Sequence, residues 1–190
     1  MKQNYPQHWL ILTQYFPPEI GAPQIRLASM IEELRKHNIN PTVLTAMPNY
    51  PKGKLFEGYK NKFLINEKYN DISVKRTWIY AATGKSAIPR LANYLSFTLT
   101  AALAALTGPK PEVIFLESQP LSLGIVALLM KWIRKVPYIY NIPDLQIEVA
   151  KQMNFIGNKV FLKLSHNLET YLMKNSWKVS TVTEAFMEHI

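Results

Sequence analysis

Trp9-Leu10-Ile11-Leu12-Thr13-Gln14-Tyr15-Phe16-Pro17-Pro18-Glu19-Ile20-Gly21-Ala22-Pro23-Gln24-Ile25-Arg26 is the stretch whose reading decides the fold. Residues 9–13 form a short uncharged run suited to a buried strand. Pro17 and Pro18 end it, because each lacks an N–H donor and has a fixed φ. Gly21 is expected to take a positive φ or to let another group approach the backbone closely. Pro23 suits the first turn of a helix, where its missing N–H would have had no partner. Leu27, Ile31 and Leu34 then fall at i, i+4 and i+7, on one face of that helix. A strand that feeds a glycine-bearing loop into a helix N-terminus is how doubly wound α/β domains seat phosphates. The same unit also serves as plain scaffold with no ligand.

Downstream, Lys36-His37-Asn38 supplies cations and a residue tolerant of left-handed backbone at a helix end. A second strand covers residues 41–46. Residues 47–62 read as a loop in which Tyr50 and Tyr59 interleave with lysines; this suits either an anionic or sugar ligand, or simple solvation. Residues 72–80 alternate as a strand with one wet face. Residues 91–106 carry no charge. Their length permits a membrane span, but Asn93, Ser96, Thr98 and Thr100 are costly in hydrocarbon. The expectation is therefore a helix buried on the sheet, touching lipid at most at one end.

Residues 112–116 are a continuous apolar strand of the kind buried on both faces. A helix follows at 120–132, with Lys131, Arg134 and Lys135 complementing its C-terminal end. A strand is expected at 137–142 and a helix at 144–155. Next come an amphipathic helix at 158–173 (Val160, Leu164, Leu168, Leu172), a strand at 177–182 and a helix starting at 184. Strands separated by helices predict parallel pairing with right-handed crossovers. The fold class is α/β: a Rossmann-like three-layer α/β/α domain with a mainly parallel sheet.

The 190 residues, 48% hydrophobic and 18% charged, suffice for one domain with a sizeable core. With no cysteine, a disulfide scaffold is excluded. The apolar run near the N-terminus is too short for a signal peptide. The 22 Lys and Arg against 13 Asp and Glu leave a formal charge of +9, which points to an anionic partner: a phosphorylated ligand, an acidic membrane surface or nucleic acid. Neither G-x-G-x-x-G nor a Walker loop is present, which argues against nicotinamide, flavin and P-loop chemistry. No metal-ligand spacing occurs, and His8, His37, His166 and His189 are isolated, so no metal is expected. Ligands in such a sheet lie beyond the carboxyl ends of strands, which here means residues 14–21, 47–50, 117–120 and 143–148. Asp144 and Glu148, spaced i, i+4, share a helical face at one of those ends. Asp144 also suits a helix N-cap, worth about 1 kcal/mol, and Glu148 would complement the helix dipole.

The segment Tyr15-Phe16-Pro17-Pro18-Glu19-Ile20-Gly21-Ala22-x-x-x-Arg26 resembles the opening of the family-4 retaining glycosyltransferases of the GT-B fold. Pro48-Asn49-Tyr50-Pro51-x-Gly53-Lys54-x-x-x-Gly58-Tyr59 is similar to a loop of the bacterial branch that builds O-antigen and exopolysaccharide. Asp144-Leu145-x-x-Glu148 stands where that branch carries Asp-Leu-Trp-Pro-Glu, with Gln146-Ile147 replacing Trp-Pro. The likeness is closest to the L-fucosamine transferases of O-antigen assembly. Where many relatives have a histidine after the strand that ends at Leu116, this chain has Glu117-Ser118-Gln119.

The resemblance implies that residues 1–190 are the N-terminal, acceptor-binding half of such an enzyme, with the C-terminal nucleotide-sugar-binding domain outside this chain. It implies transfer of a deoxyamino sugar from a UDP-linked donor to a polyprenyl-diphosphate-linked sugar at the cytoplasmic face of an anionic membrane. It calls for no metal and no cofactor other than the donor, which is a substrate. Asp144 and Glu148 are the implied catalytic residues. Gly21, Ala22 and Arg26 are expected at the donor diphosphate, and Asn49, Tyr50, Lys85, Arg90 and Glu117 at the acceptor. Two rival readings are a non-catalytic membrane-binding subunit that recruits a catalytic partner, and a basic nucleic-acid-binding domain. The latter rests only on Tyr50 and Tyr59 beside lysines, and no nucleic-acid partner is expected.

Overall fold

The computed structural model describes residues 6–60, 62–83, 87–143 and 159–182. Seven strands, β1 (His8–Leu12), β2 (Asn40–Ala46), β3 (Leu64–Tyr69), β4 (Ile72–Thr77), β5 (Val113–Glu117), β6 (Tyr138–Ile142) and β7 (Lys178–Thr181), form one sheet of order β3-β4-β2-β1-β5-β6-β7. All neighbours pair in parallel except the β3–β4 hairpin. The helices are α1 (Ala22–Lys36), α2 (Ala87–Thr107), α3 (Leu123–Arg134) and α4 (Lys159–Asn175).

Side chains alternate across each strand, and the two resulting faces bury different helices. Ile11, Val43, Val74, Phe115 and Ile139 pack with Leu27 and Ile31 of α1. Leu12, Leu44, Leu116, Tyr138 and Tyr140 pack with Phe97 and Ala101 of α2, Val126 and Met130 of α3, and Leu172 of α4. The Rossmann-like three-layer expectation therefore holds. Asn38 takes its left-handed role after α1, with φ 59°.

Three expectations need correction. The antiparallel edge strand β3 was not expected, because Leu64-Ile65-Asn66-Glu67-Lys68-Tyr69 exposes alternate residues and mixes charges; its pairing comes from the tight turn at Asn70 and Asp71, both at positive φ. The strand expected at 72–80 stops at Thr77. Lys131 and Arg134 stand in the last turn of α3, as expected, and their hydrogen bonds also tie that end to its neighbours. Lys131 Nζ donates to the Asn175 carbonyl at the end of α4, and Arg134 donates to the Ala105 and Gly108 carbonyls at the end of α2. Of the stripe expected on α4, Leu172 is buried while Val160 and Leu164 are exposed. The helices expected at 144–155 and from 184 lie outside the described residues.

Backbone geometry favours glycine at Gly53 and Gly58, both at positive φ, and not at Gly21. Gly53 has φ +63°, and an added Cβ would collide with the Ala82 carbonyl oxygen. Gly53→Ala should cost roughly 1–3 kcal/mol through strain and displacement, read as a lowered denaturation midpoint; an unchanged midpoint would contradict this geometry.

Candidate functional site at the strand ends

The chain leaves β1 through α1 toward β2, and leaves β5 through α3 toward β6, in opposite directions along the sheet. β1 and β5 are adjacent, with Leu12 beside Leu116. Their carboxyl ends therefore flank a switch point, where open α/β sheets hold ligands. The N-terminus of α1 opens at this edge, and its first-turn N–H groups lack intrahelical acceptors.

Arg26 lies in the second turn of α1. It donates to Glu117 Oε2 at 2.8 Å, while Glu117 Oε1 accepts from Asn141 Nδ2 at 2.7 Å. Glu117 and Asn141 face each other as register partners on β5 and β6, so one carboxylate ties α1 to two strand ends. Burial pushes the Glu117 carboxyl above its ordinary range, and Arg26 and Asn141 pull the other way. The Arg26 side chain is 31% exposed and that of Glu117 is 4% exposed. Glu117 thus presents little surface to an acceptor; it holds Arg26 at the crevice.

Glu19 organises the other side of the site. Its Oε1 accepts from the Asn49 and Tyr50 amides, each at 2.8 Å, and its Oε2 accepts from the Phe16 amide at 3.3 Å. The loop after β1 is thereby clamped to the loop after β2. Burial pushes the Glu19 carboxyl up, against those three N–H groups and Arg76. Arg76, fully buried, donates to Glu67 and to the Ala46 and Pro17 carbonyls, and the Tyr59 ring lies 5.5 Å from its guanidinium carbon. Tyr59 therefore belongs to this knot rather than to a ligand surface.

Beyond the clamp, Tyr15 meets Tyr50 edge-on at 5.5 Å. Burial raises the Tyr15 phenol, with Tyr94, Glu19 and Tyr50 adding and Arg90 opposing. Gln14 Nε2 donates to Asn93 Oδ1 at 2.9 Å, and Asn93 Nδ2 donates to the Tyr80 carbonyl at 2.7 Å. This links α2 to the end of β1. Buried Gln14 Oε1 and Gln24 Oε1 find no hydrogen-bond donor among the described residues.

Of the residues singled out from sequence, Gly21, Ala22, Arg26, Asn49, Tyr50, Arg90 and Glu117 fall on this edge or on the helices that open at it. Arg26 and Glu117 touch. Asn49 is buried, its side chain donating to the Met47 carbonyl, whereas Tyr50 is exposed. Lys85, Asp144 and Glu148 lie outside the described residues. Gly21 does not adopt the positive φ allowed for it: its φ of 177° is extended backbone open to any residue. An added Cβ there would meet Gln24 Oε1 at 2.6 Å, the mobile end of a side chain. Gly21→Ala should therefore change stability by less than about 1 kcal/mol; a larger loss in urea denaturation would show that Gln24 cannot yield.

Sequence reasoning assigned no role to Glu19, Arg76, Gln14, Asn93 or Asn141. Arg76 left a signal, since Ile72, Val74 and Arg76 share one strand face and a cation on an apolar face requires internal partners. The others left none, because their partners lie across the sheet.

Taken together, the sheet and the polar groups at its switch point define a doubly wound α/β domain with a helix N-terminus and an arginine at that switch point. Residues 21–190 match the glycosyl transferase 4-like domain, and the chain belongs to that family. The sucrose-phosphate synthase of Thermosynechococcus elongatus is similar in structure, with a TM-score of 0.61 and 14% identity over 96% of this chain and 44% of that one. The catalytic domain of starch synthase IV from Arabidopsis thaliana, bound to ADP and acarbose, gives a TM-score of 0.51 and 13% identity over 73% of this chain and 34% of that one. At such identities the likeness carries the fold, which is the Rossmann-like domain of GT-B glycosyltransferases. This chain spans less than half the length of either structure. No curated protein matches it.

Proposed function

We propose that this chain is the acceptor-binding half of a retaining, nucleotide-sugar-dependent glycosyltransferase whose donor-binding half is a second domain. The observation that carries the reading is Arg26, fixed by Glu117 beside the N-terminus of α1 at the β1–β5 switch point, within a chain of the glycosyl transferase 4-like family. The leaving group of such a transfer is a nucleoside diphosphate, so catalysis needs donors aimed at developing negative charge. The N–H groups of the first turn of α1 and the Arg26 guanidinium supply donors without a metal. Tyr50, Tyr15 and Arg90 form an aromatic and basic wall suited to an acceptor sugar. Asp144 and Glu148 would orient hydroxyls. The finer reading is transfer of an L-fucosamine-type sugar from a UDP-linked donor to a polyprenyl-diphosphate-linked sugar in O-antigen assembly, on the cytoplasmic side of the membrane. It is supported by the motifs around Gly21, Asn49 and Asp144.

The test is a transfer assay with UDP-linked deoxyamino sugars and a lipid-linked acceptor. The chain alone should give no product, and the enzyme carrying both domains should turn over. Transfer by the chain alone would overturn the two-half reading. In the two-domain enzyme, Gly21→Ala should lower transfer tenfold or more, about 1.4 kcal/mol of lost transition-state stabilisation. Wild-type activity in that folded variant would remove the α1 N-terminus from the site.

A further inference from the structure

Helix α2 is apolar on both sides: Phe97, Ala101, Ala102 and Ala105 pack into the core, yet a second apolar face is left outside. Its polar residues Asn93, Thr98 and Thr100 are buried, and each has an internal partner: Asn93 bonds Gln14 and the Tyr80 carbonyl, Thr98 bonds Ser122, and Thr100 donates to the Trp78 carbonyl. Four of its leucines face outward, while Leu106 packs against the core. Ile88 is 79% exposed, Leu95 48%, Leu99 64% and Leu103 51%, with Leu91 beside them. At i, i+3, i+7, i+11 and i+15 these five side chains make one continuous ridge. From residue 88 to 103 it runs about 22 Å at 1.5 Å per residue. Neighbouring α3 adds exposed Ile125, Trp132 and Ile133. Water offers such a surface nothing, and a contiguous apolar patch of this kind marks a site that something covers.

We infer that the α2 ridge lies in the interface of an anionic lipid bilayer, with its leucines among the acyl chains. Charge selects this occupant. Neither α2 nor α3 contains an acidic residue. Between residues 72 and 143 the only acids are Glu112 and Glu117. Glu112 is held by the Gln7 and His8 amides and Glu117 by Arg26 and Asn141. Exposed Lys110 and Lys135 follow the ends of α2 and α3, and Arg90 lies in the first turn of α2. An apolar stripe flanked by cations and free of acids is the pattern of a helix lying in the plane of an anionic membrane. No helix among the described residues is long and apolar enough to cross one. The N-terminal half of α2 also carries Arg90, Asn93 and Tyr94, which reach the strand-end site. A bilayer under the ridge would bring a lipid-borne acceptor to that edge. This choice of occupant rests on the proposed lipid-linked acceptor, but its test does not depend on transfer activity.

The experiment is co-sedimentation of the chain with vesicles of phosphatidylglycerol and phosphatidylethanolamine, against vesicles of phosphatidylcholine alone. The chain should bind the anionic vesicles and remain in the supernatant with the neutral ones. Leu95→Ser with Leu99→Ser should weaken binding tenfold or more while the chain stays folded, its thermal midpoint falling only by the weaker helix propensity of Ser, because about half or more of each side chain is exposed. Lys110→Gln with Lys135→Gln should weaken anionic binding and keep the ridge. Equal binding by the leucine variant would overturn the inference, as would failure of the wild type to bind anionic vesicles. Concentration-dependent dimerisation that the leucine variant abolishes, without vesicle binding, would assign the ridge to a second copy of the chain instead. A two-domain enzyme inactive on every nucleotide sugar would defeat the proposed function and leave the vesicle result standing.

Discussion

Replacing Glu19 with Ala should lower the unfolding free energy by roughly 3–5 kcal/mol, since buried donors left without acceptors cost about 1–3 kcal/mol each. The carboxylate accepts from the Phe16, Asn49 and Tyr50 amides at once. It also faces buried Arg76, whose charge it helps to balance. Glu19→Gln should cost about half as much, because its one carbonyl oxygen can still accept from Asn49 and Tyr50 while its amide opposes the Phe16 N–H. Urea denaturation of the three proteins measures the order. A loss below about 1 kcal/mol for the Ala variant would show that the two loops hold together without this clamp.

Arg26→Met should produce a pH-dependent loss. It leaves the Glu117 carboxyl buried without its cation, at a cost of about 3 kcal/mol when ionised. Burial already raises the Glu117 pKa and Arg26 opposes that rise, so the variant raises it further. A carboxyl whose folded pKa exceeds its unfolded value binds more protons when folded. Stability then falls as pH climbs through the folded pKa. The deficit of Arg26→Met should therefore be small in mild acid and grow toward alkaline pH. Adding Glu117→Gln should flatten the profile. A deficit equal at every pH would mean that Glu117 is not the group Arg26 serves.

These two effects arise from contacts of very different legibility. The clamp loop announces itself, since Pro17-Pro18-Glu19-Ile20-Gly21 stops a strand and starts a helix by local backbone rules. What Glu19 does there depends on amides thirty residues away, and no spacing in the sequence encodes that meeting. Arg26 and Glu117 were both readable as candidates near a ligand, yet their separation of 91 residues hid that they form one unit. Of the two roles open to Gly21, the positive φ is not taken, since the chain is extended there, while Gln24 Oε1 does come close to the position of its missing Cβ.

By itself the sequence determined the doubly wound α/β class, the alternating order of strand and helix, and the resemblance to family-4 glycosyltransferases, which the family match bears out at the level of the family. Those features follow from local rules: side-chain period, proline's fixed φ, and the apolar runs that doubly buried strands require. Only the tertiary structure decided that β3 pairs at the edge, that Glu117 serves Arg26, and that α2 turns four of its leucines outward. The last of these leaves a helix apolar on both sides. Phe97, Ala101 and Ala105 pack into the core, and Asn93, Thr98 and Thr100 share that buried face because they find internal partners there. Which side of a helix faces in depends on what it meets, and that is settled by packing at long range.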